Sequence, residues 1–235
     1  MRKYIDFYKK GLFLVNANIP IYFASLFFVL GMQINSIAKS LGITQNPFIN
    51  ILSIIFIILS LGSVFLDIKT LYDVSEKNKL TFILIEKNYK NTFIRSARIM
   101  LLLMFFIGCV GIIMMNPKNS FLRKAFYSLP GLSAILVITV PFSIYFSIFF
   151  AVKNKSFADS FLQAFYFYKK NVSFICIAIC YSFVSWILIN VSPLNIVSRP
   201  PFSYIYLVIN NYTDLILKAA LLLYFKEKYN EGKIG

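Results

Sequence analysis

The sequence predicts an all-α, polytopic membrane protein: one membrane domain, 1–235, with six transmembrane helices. Three observations lead there. Only 14% of the 235 residues are charged and 59% are hydrophobic, whereas a soluble domain is about 25% charged. The apolar residues come in long blocks, not in the short alternating segments of a membrane barrel. Six blocks, at about 14–34, 48–67, 99–115, 130–152, 172–191 and 202–225, reach or approach the roughly 17–25 residues that a spanning helix needs.

Each element has its own local signal. "MRKYIDFYKKG" is basic, but no small-residue cleavage site closes the apolar run after it, so the first block is expected to stay as a helix. Asn16, Asn18 and Gln33 add polar points to that span and read as packing features. The second span opens on Pro47, and proline suits a first helical turn, where its missing N–H has no partner to lose. The third is the shortest, and Arg98 at its start can snorkel to the headgroups. Pro141 is expected to kink the fourth. Cys109, Cys176 and Cys180 all fall inside apolar blocks and read as small packing residues, not as a disulfide framework.

Orientation follows from the basic residues. The N-terminus, the 68–98 loop, the 153–171 loop and the C-terminus hold 18 of the 24 Lys and Arg; the opposite side holds five, and Lys218 lies within a span. The positive-inside rule then puts both termini in the cytoplasm of a multi-pass cell-membrane protein. The net charge of +15 faces an anionic cytoplasmic leaflet and does not mark a nucleic-acid binder.

Common shifts point to a threefold repeat with units of about 1–79, 80–152 and 153–235. The even-numbered spans open on "PFINIL" at Pro47, "PGLSAIL" at Pro130 and "PFSYIYL" at Pro201. "YKKGLFLVNAN" from Tyr8 and "FLQAFYFYKKN" from Phe161 pair Gly11 with Ala164 and Asn18 with Asn171. Each unit reads as an amphipathic segment, an outward helix and a return helix. In "SFADSFLQAFYFYKK", Phe157, Phe161, Ala164, Phe165 and Tyr168 recur at helical spacing ahead of Lys169 and Lys170, the pattern of an interfacial helix. The middle counterpart, with Arg95 and Arg98, is more polar. It reads as a solvated positive-inside loop or a docking segment for a cytoplasmic or membrane partner protein.

A short amphipathic helix with a phenylalanine, a small residue and a "YKKN"-like end, followed by a span and repeated, resembles a broad group of prokaryotic six-helix membrane proteins. They are akin to the membrane domain attached to some glycerophosphodiester phosphodiesterases. The resemblance implies a fold and brings no catalytic residues. The chain also looks somewhat like the permease subunits of six-helix ABC exporters, which work with a separate ATPase.

With no histidine and nine acidic residues, the inventory for catalysis or metal binding is thin, and neither an enzyme nor a cofactor is expected. One feature stands apart. In "FSYIYLVINNYTDLILKAALLLYF", Ser203, Tyr206, Asn210, Asp214 and Lys218 share a helical face, with Asn211 and Thr213 at its margins. An aspartate at mid-span is unfavourable by roughly 2.5–3.5 kcal/mol, so this face must look inward. Lys218 follows Asp214 by four residues, the favourable order for an i,i+4 pair. The corresponding stretch of the second span, around Ser60 and Ser63, is uncharged. Asn210, Asn211, Asp214 and Lys218 are therefore the candidate site, as a lock on helix packing or as a transport or ligand site. The expected function is a non-enzymatic transport-associated or membrane-organising component, with the exporter permease as the alternative.

The topology makes a direct prediction. Cysteines replacing Lys39 or Lys118 react with an impermeant thiol reagent from outside the cell, and one replacing Lys155 does not. External labelling at position 155 would overturn the orientation.

Overall fold

The computed structural model describes residues 2–34, 37–38, 42, 46–76, 80–96, 141–171 and 202–231. Regular structure among them is entirely helical. The helices are α1 (Arg2–Ala17), α2 (Ile19–Met32), α3 (Pro47–Ser75), α4 (82–96), α5 (Pro141–Val152), α6 (Phe157–Lys170) and α7 (Phe202–Glu231). The expected third and fifth spans and the first part of the fourth lie outside the described residues, as do the three cysteines, Lys39, Arg98, Lys118, Pro130 and Pro201.

Among the described residues, Leu207–Asn230 is long and apolar enough to cross a membrane, and the bent pair Ile5–Ala17 and Ile19–Gly31 qualifies if taken as one span. The expected first span is thus not straight. The chain turns by 85° between α1 and α2, and residues up to Ala17 belong to the amphipathic helix. Pro20 explains the break, because it cannot donate to the carbonyl four residues back and its ring crowds the preceding turn. Asn18 closes the end of α1 with φ −132° and ψ 46°. Its Nδ2 donates to the carbonyl of Leu14 at 2.9 Å. Asn171, at the end of α6, has φ −123° and ψ 48° and donates from Nδ2 to Phe167 at 3.0 Å. The two asparagines therefore end their helices in the same way.

Other boundaries follow the local chemistry. The Asn46 side chain accepts from the backbone N–H of Phe48 at 2.9 Å, and Pro47 occupies the first turn of α3. Ser156 caps α6 by accepting from the N–H of Asp159 at 3.2 Å. Lys169 and Lys170 sit in the last turn, where cations meet the negative end of the helix dipole. α5 ends in a π-helical turn, Ile148–Val152, and Asn154 takes the left-handed conformation, φ 54°, that asparagine tolerates better than most residues.

The core is built around the C-terminal half of α7. Leu215, Leu217, Ala219, Ala220, Leu221, Leu222 and Phe225 are fully or almost fully buried. α1 runs against this half in the opposite sense: Phe7 meets Tyr224 edge-on at 5.4 Å, and the Tyr212 hydroxyl donates to Asn16. Between those contacts Gly11 lies flush on the α7 backbone. A Cβ there would come within 3.0 Å of the Ala220 nitrogen and the Ile216 oxygen. α5 and α6 close the other side through rings, with Phe225 4.8 Å from Phe167 and 5.3 Å from Phe149. Such pairs add about 0.5–1.5 kcal/mol each beyond area burial.

Gly11 sets the closeness of α1 to α7, because the obstructing atoms are backbone and cannot turn away. Gly11→Val is expected to lower stability by about 1–3 kcal/mol, read as a lower melting temperature of the detergent-solubilised protein. An unchanged melting temperature would mean that α1 is not packed in this way.

Candidate charged core site

Three helices bring polar side chains to one point. α7 contributes Asn211, Asp214 and Lys218, α3 contributes Asp67, and α2 contributes Ser25. Lys218 Nζ lies 2.8 Å from Asp214 Oδ2 and 2.9 Å from Asp67 Oδ2. It spans the expected i,i+4 pair and a second carboxylate 151 positions away in sequence. Ser25 Oγ is 3.2 Å from Asp67 Oδ2 and 3.1 Å from Asn211 Oδ1.

A serine hydroxyl carries one hydrogen and can donate to only one of these oxygens at a time. Asp67, as an anion, is the stronger acceptor. With the Asn211 amide turned about its axis, its NH2 donates to Ser25 and Ser25 donates to Asp67. That single line of hydrogen bonds leads from the amide to the carboxylate. As placed, Asn211 Nδ2 is buried without a partner among the described residues. In either orientation one end of the amide remains unmatched at the edge of the cluster.

Burial grades across the site. The Asp67 side chain is 6% exposed, Lys218 20% and Asp214 30%, so Asp67 is the most enclosed of the three and Asp214 the least. Among the described residues, two carboxylates and one ammonium leave the cluster one negative charge in excess when all three are ionised.

The sequence-predicted residues divide here. Asp214 and Lys218 pair as expected. Asn211, at the margin of the predicted face, joins the cluster, while among the described residues the Asn210 side chain makes no bond and its backbone oxygen accepts from Thr213 Oγ1 at 2.9 Å. Asp67 and Ser25 were not anticipated. Asp67 reads as the end of a span because a charge follows a long apolar run, yet α3 continues to Ser75. The signal was Lys218 itself: a lysine in an apolar helix needs an anion, and Asp67 is the acid nearest an apolar block. Asn16 and Asn18 serve packing, as expected.

The amphipathic segments lie elsewhere. Ser160 and Ala164 form the buried face of α6, while Phe157, Phe161 and Phe165 are half-exposed. On α4, Asn88, Thr92 and Ser96 are buried and Phe82, Ile83 and Ile94 project outward. Asn88 donates to Asp73 at 2.9 Å, and Asp73 also pairs with Lys69 at 3.1 Å. Arg95 fastens α4 to the α5–α6 turn, donating to Asn154 and to the carbonyl of Lys155. At the end of α3, the Lys226 side chain bonds to Glu76 and holds that carboxyl below its ordinary range.

Among the described residues no group of histidine, cysteine, aspartate and glutamate is arranged to hold a metal ion. Comparison with family models, curated proteins and solved structures finds no match to this chain.

Removing one charge from the cluster leaves the others uncompensated, which destabilises by about 3–5 kcal/mol when a buried ion pair is broken. Lys218→Met, which leaves Asp67 facing Asp214, is expected to melt far below the parent in detergent. Adding Asp67→Asn and Asp214→Asn to Lys218→Met should restore most of that loss. Equal melting of the parent and Lys218→Met would show that the three charges are not coupled.

Proposed function

We propose that the chain is a non-enzymatic six-helix integral membrane protein with a transport-associated role, and that the Asp67–Lys218–Asp214 cluster is its functional centre. The excess negative charge of that cluster carries the reading. The surplus calls for a proton or a cation, and taking up and releasing such a partner is an elementary step of coupled transport. Ionisable groups within spans recur on ion pathways and proton relays for this reason. Asp214, the least enclosed of the three, is the group of the cluster best placed for that exchange.

Further observations support the membrane setting. α7 has the length and hydropathy of a span, and α3 is uncharged from Pro47 to Leu66. The outward phenylalanines of α6, with Lys169 and Lys170 at its end, suit the boundary between acyl chains and headgroups. The matching ends of α1 and α6 support the repeat, and the distribution of Lys and Arg supports cytoplasmic termini. The half-exposed aromatic face of α6 favours a second reading, a membrane-organising component that acts through lipid contact.

The test is flux in proteoliposomes. With a trapped pH-sensitive dye and imposed sodium, potassium or pH gradients, the reconstituted chain should carry a proton or cation flux above that of empty vesicles. Asp67→Asn and Asp214→Asn combined with Lys218→Met, which leaves no charge of the cluster unpaired, should abolish the flux while leaving the helical circular dichroism intact. Absence of any such flux in the parent would overturn the transport reading in favour of the organising one.

A further inference from the structure

A second site lies apart from the charged cluster, where α3, α4 and the end of α5 meet. They enclose a cavity of about 400 Å³, within the range of ligand pockets. Its lining has two halves. Lys69, Arg95, Asn91 and Asn154 supply the polar half, and Phe65, Phe150 and Ile94 the apolar half. Among the described residues no carboxylate lines it.

Arg95 is the informative residue. Its guanidinium sits 4.8 Å over the Phe150 ring and donates to Asn154 Oδ1 and to the Lys155 carbonyl. These two contacts use two of its five N–H donors and fix the plane of the group. Both acceptors are neutral, and among the described residues no carboxylate pairs with Arg95. Among the described residues, a permanently charged, partly exposed group is thus fixed at the cavity without a counter-ion. Asn154 gives its oxygen to Arg95, so its NH2 is the end left to donate. Lys69 is matched by Asp73, so Arg95 is the charge that calls for an anion.

We propose that this cavity binds the phosphodiester of an anionic phospholipid, with Arg95 and the Asn91 and Asn154 amides on the phosphate oxygens and the acyl region against Phe65, Phe150 and Ile94. A planar fork of donors matches phosphate geometry. The apolar half distinguishes an amphiphile from a free ion, and Ile94, 73% exposed, leaves that wall open to the outside. The proposal rests on the membrane reading given above, since a lipid reaches the cavity only if α4 lies at the bilayer surface.

Native mass spectrometry of the full chain in detergent tests it, with short-chain phosphatidylglycerol, short-chain phosphatidylcholine and inorganic phosphate as probes. Phosphatidylglycerol should be retained in preference to phosphatidylcholine and should withstand millimolar phosphate. Arg95→Gln should weaken it by at least about tenfold, the scale of a charged hydrogen bond. Asn91→Asp, at an exposed position with no bond to the fold, should weaken it similarly by repulsion and covers the case in which Arg95→Gln misfolds. Lys87→Gln, which removes one exposed positive charge of α4 outside the cavity, should leave retention unchanged. Equal loss in that control would show general charge attraction and overturn the site. Equal retention of both lipids, or displacement by inorganic phosphate, would overturn the lipid assignment. Carbonate extraction of cell membranes reports on the membrane reading separately: release of the chain into the aqueous phase would defeat that reading, whatever the lipid probes give.

Discussion

The position of α7 is fixed by the demand that Lys218 be neutralised. Its ammonium is held from two helices, and Ser25 of a third helix bonds to the Asp67 carboxylate. Each helical residue turns the side chain by about 100°, so a one-residue rotation of α7 would carry Asp214 and Lys218 away from Asp67 together. Apolar packing among Leu215, Leu221 and Leu222 tolerates small rotations, since one leucine can stand in for another. An ammonium between two carboxylates tolerates none, because any lapse leaves a desolvated charge. Aliphatic side chains supply the bulk of the core, and the charges select one arrangement of it.

The amphipathic helices share an inverted pattern. In a soluble protein the bulky apolar side chains turn inward and small polar ones face water. In α6 the buried positions are Ser160 and Ala164, and the phenylalanines are half-exposed; in α4 the buried face is Asn88, Thr92 and Ser96. Small residues let helix backbones approach closely, which matters where lipid removes the hydrophobic drive between helices. Rings facing outward are the arrangement that the proposed membrane setting favours.

Local chemistry made much of this legible in advance. The α6 range, the proline start of α3 and the Asp214–Lys218 pair could be read because each rests on residues a few positions apart. The bend at Asn18 was harder, because the apolar run passes through it without a change of composition. Its trace was the alignment of Asn18 with Asn171, and both residues close their helices by the same bond. Asp67 and Ser25 eluded the reading because their partners lie 151 and 186 positions away, and no local pattern encodes such a contact. The choice of Asn211 over Asn210 was set by the rotation of α7, which depends on the unseen Asp67.

The seam between α1 and α7 has a consequence for the order of assembly. The Asn16–Tyr212 contact joins residues 196 positions apart, so α1 leaves the ribosome well before α7, the helix it packs on. At about 5–20 residues per second, α1 waits on the order of ten seconds or more for its partner. During that interval the face bearing Phe7, Gly11 and Val15 has no helix to close on. A chain halted before Tyr212 keeps this face open, and it lacks the lysine that neutralises Asp67. Machinery that surveys nascent chains for unfilled apolar grooves and unpaired charges would find both defects in the same truncated molecule, and α7 on docking covers this face and neutralises Asp67.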